Sequence, residues 1–149
     1  MARGLTFEEF EVGATFTSQA RTVTEADITA FAGLSGDFNP LHTDAEFAKT
    51  TPFGERIAHG MLTVAMSTGM SNWTGLFEGT TIALMEQNIQ YKSPVKSGDT
   101  IHLELEVIEK KETSRPDRGI VNFAAQVLNQ HAQPVVDMRW TLMIKRRGG

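Results

Sequence analysis

Apolar residues change their spacing twice along this chain. From Glu25 to Leu34 they fall at helical intervals, with Ile28, Phe31, Ala32 and Leu34 recurring on one side. Thr24 precedes Glu25-Ala26-Asp27, an N-cap followed by acidic residues in the first turn. From Ala58 to Trp73 charge disappears, and apolar side chains occupy every side of the helical wheel. A helix of that kind is normally enclosed by the rest of its fold. Beyond Thr80 the rhythm becomes alternation, clearest in Ile101, Leu103, Leu105 and Val107. Strands are expected over 80–92, 100–111, 120–128 and 135–144, separated by turns at Pro94/Gly98-Asp99, 114–119 and 129–133. An earlier strand is expected within 14–23, where Thr15-Phe16-Thr17 alternates. The pattern predicts an α+β fold: a meander of four antiparallel strands, joined by the early one, around a single apolar helix.

Between the two helices lies a polar loop, Asp37 to His42, flanked by Gly33 and Gly36. Thr43-x-x-Glu46 matches a capping box for a short helix with Phe47 and Ala48 on its buried side. Length changes this picture little, since 149 residues suit a single domain over 1–149 with one core. The net charge of −4 offers no electrostatic footprint for nucleic acid or an anionic membrane. Cysteine is absent, which excludes disulfides, thiolate catalysis and Cys-bound metals. The residues after Met1 turn acidic at Glu8-Glu9 with no signal-like apolar run, and no segment reaches the roughly 18 apolar residues of a membrane span. A cytoplasmic, soluble protein is the expectation.

The chemistry concentrates between Leu34 and Leu62. Asp37 and His42 put a carboxylate and an imidazole on a loop bent by Gly36 and Pro40, a pairing suited to shared acid–base work. Asn39 and Pro40 read as residues that hold the loop in shape, and Asp44 as a helix cap. Gly60 opens the uncharged helix. Its backbone N–H, with the positive end of the helix dipole, can hold a developing oxyanion, and the missing Cβ leaves room for close approach. Met61 and Leu62 follow in the first turn as substrate-contacting candidates. A metal site of His59 with His42, Asp37 and Asp44 is disfavoured, because no tight His-x-x-x-His pair accompanies them.

Two blocks carry a family resemblance: Ser35-Gly36-Asp37-x-Asn39-Pro40-x-His42-x-Asp44, and Phe53-Gly54-x-x-Ile57-Ala58-His59-Gly60-Met61-Leu62. Together they resemble the signature of the MaoC-like dehydratases, the (R)-specific enoyl-CoA hydratases. The resemblance runs from about Phe10 to the last strand. It implies the hot dog fold, a curved antiparallel β-sheet wrapped around a long central α-helix. It implies addition of water to a trans-2-enoyl thioester of coenzyme A or acyl carrier protein, with Asp37 and His42 holding the water. Gly60 is then the oxyanion donor, His59 packs and hydrogen bonds within its Ala-His-Gly turn, and Thr68 matches a hydroxyl position that supports the active-site loop. No cofactor or metal is implied, and a homodimer or higher homo-oligomer is expected. A hot dog thioesterase is the nearest rival, but those enzymes often place a carboxylate in the central helix, and 58–76 holds neither Asp nor Glu. A non-catalytic acyl-thioester sensor is the other, and it would give the Asp37/His42 pair no purpose.

Overall fold

The computed structural model describes residues Arg3–Gly148. A 3-10 turn (Phe7–Glu9) leads to two short strands, β1 (Thr15–Thr17) and β2 (Arg21–Thr22). Three helices follow, α1 (Glu25–Ser35), α2 (Pro40–Thr43) and α3 (Ala45–Ala48), then the longer α4 (Gly60–Trp73). Four long strands complete the chain: β3 (Thr81–Tyr91), β4 (Thr100–Glu112), β5 (Arg118–Leu128) and β6 (Pro134–Lys145).

The expected meander is only partly present. The six-stranded antiparallel sheet runs β1-β4-β5-β6-β3, with β2 also on β4. So β4, β5 and β6 are sequential neighbours, but β3 pairs with β6 rather than β4. The reason lies in residues 92–99, which carry the chain across the end of the sheet instead of reversing it tightly. The early strand is likewise broken in two: at Ser18 both the N–H and the Oγ engage Leu103, each at 2.9 Å, and the chain bends between β1 and β2.

The alternation in the long strands decides which face meets α4. Ile101, Leu103, Leu105 and Val107 of β4, with Val121, Phe123, Ala125 and Val127 of β5, are all buried. Leu62, Val64, Met66 and Met70 of α4 pack into the same core. The helix is enclosed on that side only. Met61, Ala65, Thr68, Gly69 and Asn72 form an exposed stripe, against the expectation of burial all round.

Local capping places the small helices. Thr24 Oγ1 accepts the Asp27 N–H (3.2 Å) while the Asp27 carboxylate accepts the Thr24 N–H (2.9 Å), which starts α1. Gly36, at φ 76°, closes it with an N–H to the Ala32 carbonyl. For α3 the cap is Asp44, whose Oδ1 accepts the N–H groups of Glu46 and Phe47. The Thr43 capping box is not formed, because the Thr43 hydroxyl donates backwards to the Phe38 carbonyl at 3.0 Å. Of the two residues expected inside, Ala48 is buried and Phe47 is exposed.

The two ends of the described chain are joined by charge. Arg146 Nε donates to Glu8 Oε1 (2.8 Å), and the Arg147 N–H to Glu8 Oε2 (3.0 Å). The Arg146 hydrogen bond above all pulls the Glu8 pKa from the ordinary 4.5 to about 2. A carboxylate depressed on folding stabilises above its unfolded pKa and loses that contribution as pH falls through its folded one. Glu8→Gln is therefore expected to melt below wild type at pH 7. The gap in Tm should narrow between about pH 4.5 and about pH 2, as read by thermal unfolding across that range.

Candidate active site

The end of α1, His42 of α2, the N-terminus of α4 and the β3–β4 crossover converge on a pocket of about 570 Å³. Asp37, His42, His59, Gly60 and Met61 all line it. Each is positioned by the local chemistry of the two sequence blocks.

In the first block, Asn39 Oδ1 accepts the Leu41 N–H (3.1 Å) and so caps α2, with Pro40 in its first turn. What the sequence presents as loop is thus partly a single helical turn, and it projects His42. The Asp37 N–H donates to Ser35 Oγ (3.1 Å), and Asp37 Oδ1 accepts the Asn39 N–H (3.1 Å). Asp37 itself remains exposed to the pocket mouth.

The second block orients the imidazoles. His42 Nδ1 lies 2.7 Å from the Ile57 carbonyl, which can only accept, so Nδ1 carries a hydrogen and in the neutral ring the lone pair falls to Nε2. His59 is 3% exposed, and its Nε2 donates to the Asp37 carbonyl at 2.9 Å. The His42 and His59 rings stack with centroids 3.8 Å apart and planes at 27°. Phe31 of α1 backs His59 at 4.9 Å.

Donor atoms of Asp37, His42 and His59 lie within 4.8 Å of one another. Imidazole lone pairs lie in the ring plane, so two stacked rings aim theirs side by side rather than at one point. That geometry suits proton handling better than chelation.

At α4, the N–H groups of Leu62 and Thr63 both reach back to the His59 carbonyl (3.0 and 3.4 Å). The N–H groups of Gly60 and Met61 precede them and have no intrahelical acceptor, and His59 supplies no side-chain cap. The missing Cβ of Gly60 serves a purpose the sequence did not disclose. A Cβ there would lie 2.5 Å from the Tyr91 ring, so Tyr91 takes the space expected for a ligand. The Tyr91 hydroxyl in turn donates to Met61 Sδ at 3.3 Å.

Two expected site residues fall elsewhere. Leu62 turns into the core and does not wall the pocket. Thr68 is exposed on the outer stripe of α4, and its hydroxyl donates to the Ala65 carbonyl (2.7 Å) in its own helix. It is Thr63, one turn from the N-terminus, that brings a hydroxyl to the pocket. Sequence reasoning also missed Tyr91 and the wall formed by Lys92, Ser93, Pro94 and Val95. That wall exists because the crossover passes over the site, where the Val95 carbonyl accepts the Ala58 N–H at 2.7 Å.

A sheet laid around one apolar helix, with Asp37 and His42 on a pocket that the uncapped N-terminus of that helix also lines, is a hot dog domain of dehydratase type. The family model described as MaoC like domain matches residues 9–127. An (R)-specific enoyl-CoA hydratase of Rhodospirillum rubrum is 32% identical over 142 residues, 95% of this chain and 93% of that protein. A 3-hydroxybutyryl-CoA dehydratase of Methylorubrum extorquens is 35% identical over 107 residues, 72% of this chain and 66% of that protein. The solved structure of a MaoC-like dehydratase from R. rubrum superposes with a TM-score of 0.90 at 32% identity, covering 98% of this chain and 100% of that one. The chain belongs to the MaoC-like dehydratase family, and with it to the hydro-lyases.

The Tyr91–Gly60 contact makes a testable statement about the site wall. Gly60→Ala is expected to lower Tm by several degrees through overpacking, typically worth about 1–3 kcal/mol. Adding Tyr91→Ala should recover part of that loss. Calorimetry of the two single variants and the double variant measures the coupling.

Proposed function

We propose that the protein reversibly hydrates trans-2-enoyl thioesters to (R)-3-hydroxyacyl thioesters. The observation that carries this reading is His42, anchored through Nδ1 to the Ile57 carbonyl with Nε2 left unbonded, beside Asp37 and in the pocket that Gly60 also lines. A water held between Asp37 and His42 attacks C3 of the substrate. One of the pair takes the water's proton, and a proton is delivered to C2 on the same face. Charge gathers on the thioester oxygen, where the Gly60 N–H and the helix dipole favour the enolate-like transition state. Neither metal nor redox cofactor has a step in this scheme. The names of the relatives support a thioester handle of coenzyme A or acyl carrier protein.

A thioesterase is less well supported, since α4 carries no carboxylate along Gly60–Trp73. We also propose that the protein is cytoplasmic and acts as a homodimer or higher homo-oligomer. β3 is a sheet edge eleven residues long, with Ile82, Leu84 and Met85 exposed on it, and such an edge invites pairing with a second copy.

No helix among the described residues is long and apolar enough to cross a membrane. Asp37→Asn and His42→Ala should each lower kcat for enoyl-CoA hydration by about 10²–10⁴. The double variant should be scarcely slower than the worse single one, because the pair acts on one water. Loss of the conjugated-thioester absorbance follows the reaction. Near wild-type rates in both single variants would remove the assignment.

A further inference from the structure

Cations beside the active-site pocket are already committed to carboxylates. Lys92, which lines it, approaches Asp137 at 3.8 Å. Arg56 and Lys96, next in the chain to the lining residues Ile57 and Val95, pair with Glu25 (2.8 Å) and Glu55 (2.9 Å). Asp37 adds negative charge at the mouth. A thioester handle that carries phosphates thus meets little positive charge on this side of the protomer.

The opposite end of the sheet is different. A pocket of about 360 Å³ lies where β3 begins and β6 ends. Arg3, Lys145, Arg146 and Arg147 line it, and no carboxylate among the described residues does. Thr80 lines it too: it is 2% exposed, and its hydroxyl is buried without a partner. A bound oxyanion would satisfy such a group. Arg3 and Arg146 are held by Glu9 and Glu8, but Arg147 is 68% exposed and its pairing with Glu9 is long, at 3.9 Å. Several Lys and Arg side chains around one cavity suit a ligand with more than one phosphate.

Within one protomer the two features are too far apart to share a ligand. Tyr91, the last residue of β3, lines the active-site pocket, and Thr80, just before its first, lines the basic one. Eleven residues at about 3.3 Å each separate them by roughly 35 Å. A pantetheine arm, with about thirteen bonds from sulfur to the first phosphorus, reaches roughly 16 Å. Pairing of β3 with a second copy removes that separation. Two antiparallel β3 strands related by a two-fold axis set the start of one beside the end of the other. The basic pocket, at the ends of β3 and β6, then lies within about two strand spacings, roughly 10 Å, of the partner subunit's active-site mouth.

We propose that this basic pocket binds the phosphates of a coenzyme A thioester whose acyl end occupies the partner subunit's active site, an assignment that rests on the thioester and dimer readings above. Each site is then completed across the dimer. Lys145→Gln/Arg147→Gln is expected to raise KM for trans-2-butenoyl-CoA about tenfold with kcat little changed, as loss of charge-assisted bonds to phosphate would give. The phosphate-free trans-2-butenoyl-pantetheine is the reference, and its KM should not follow. Equal rises for both thioesters, or no rise for the CoA thioester, would overturn the phosphate site. An equal or larger rise for the thioester of acyl carrier protein would overturn the choice of coenzyme A.

Mixed dimers test the crossing between subunits. A His42→Ala subunit keeps its cations, and a Lys145→Gln/Arg147→Gln subunit keeps its His42. Tagged separately and purified together, the pair should hydrate butenoyl-CoA at the wild-type KM through its one working site. A KM still raised about tenfold, or failure of the chains to form a mixed dimer, would overturn the crossing. Arg3→Gln replaces the double variant in both experiments if that variant does not fold. Isothermal titration with coenzyme A itself runs alongside. If wild type hydrates neither thioester, yet coenzyme A binds the double variant about tenfold more weakly, the hydratase reading falls and the phosphate site stands.

Discussion

The hydrogen bond from His59 Nε2 to the Asp37 carbonyl joins the two sequence blocks into one site. It works with two others, His42 Nδ1 to the Ile57 carbonyl and the Ile57 N–H to the Leu41 carbonyl, to set the register of the loop after α1 against the turn before α4. The same imidazole stacks on His42, which is anchored from the other side by the Ile57 carbonyl. Asp37 and His42 are therefore held by backbone carbonyls and ring faces, leaving the Asp37 carboxylate exposed to the pocket mouth and a lone pair on His42 Nε2. A buried histidine can in this way fix the geometry of the two side chains beside it.

Much of the site is legible in the sequence because its residues are local. Asn39, Pro40 and His42 sit within one helical turn and its cap, with Asp37 two residues ahead, and turn chemistry acts over a few residues. His59 and Gly60 follow from the start of an uncharged helix. The core strands are legible for a similar reason, since alternation in β4 fixes which face is inside. What is not legible is long-range. The pairing of β3 with β6 is decided by a crossover whose residues carry no local mark of it, and Tyr91 reaches Gly60 only through that pairing. Thr68 shows the opposite failure: its type suited the site, but the helical phase turned it outward.

The openness of α4 on one side gives the fold two distinct compartments along a single helix. The buried side, through Leu62, Val64, Met66 and Met70, carries stability. The outer stripe is free of that duty, so its residues and the facing positions of β3 can vary in polarity without disturbing the core. Gln87 and Trp140 lie where those two compartments meet.

The strand order also has a consequence for how the protein is made. α4 emerges from the ribosome roughly sixty residues before β6, a delay of several seconds at about 5–20 residues per second. During that interval β3 has no partner strand, and the apolar side of α4 has little sheet to lie against. The family motif is therefore synthesised early but takes its working shape late. Nascent chains stalled before β6 would present an uncharged helix and a bare strand edge together, the kind of surface that holdase chaperones recognise.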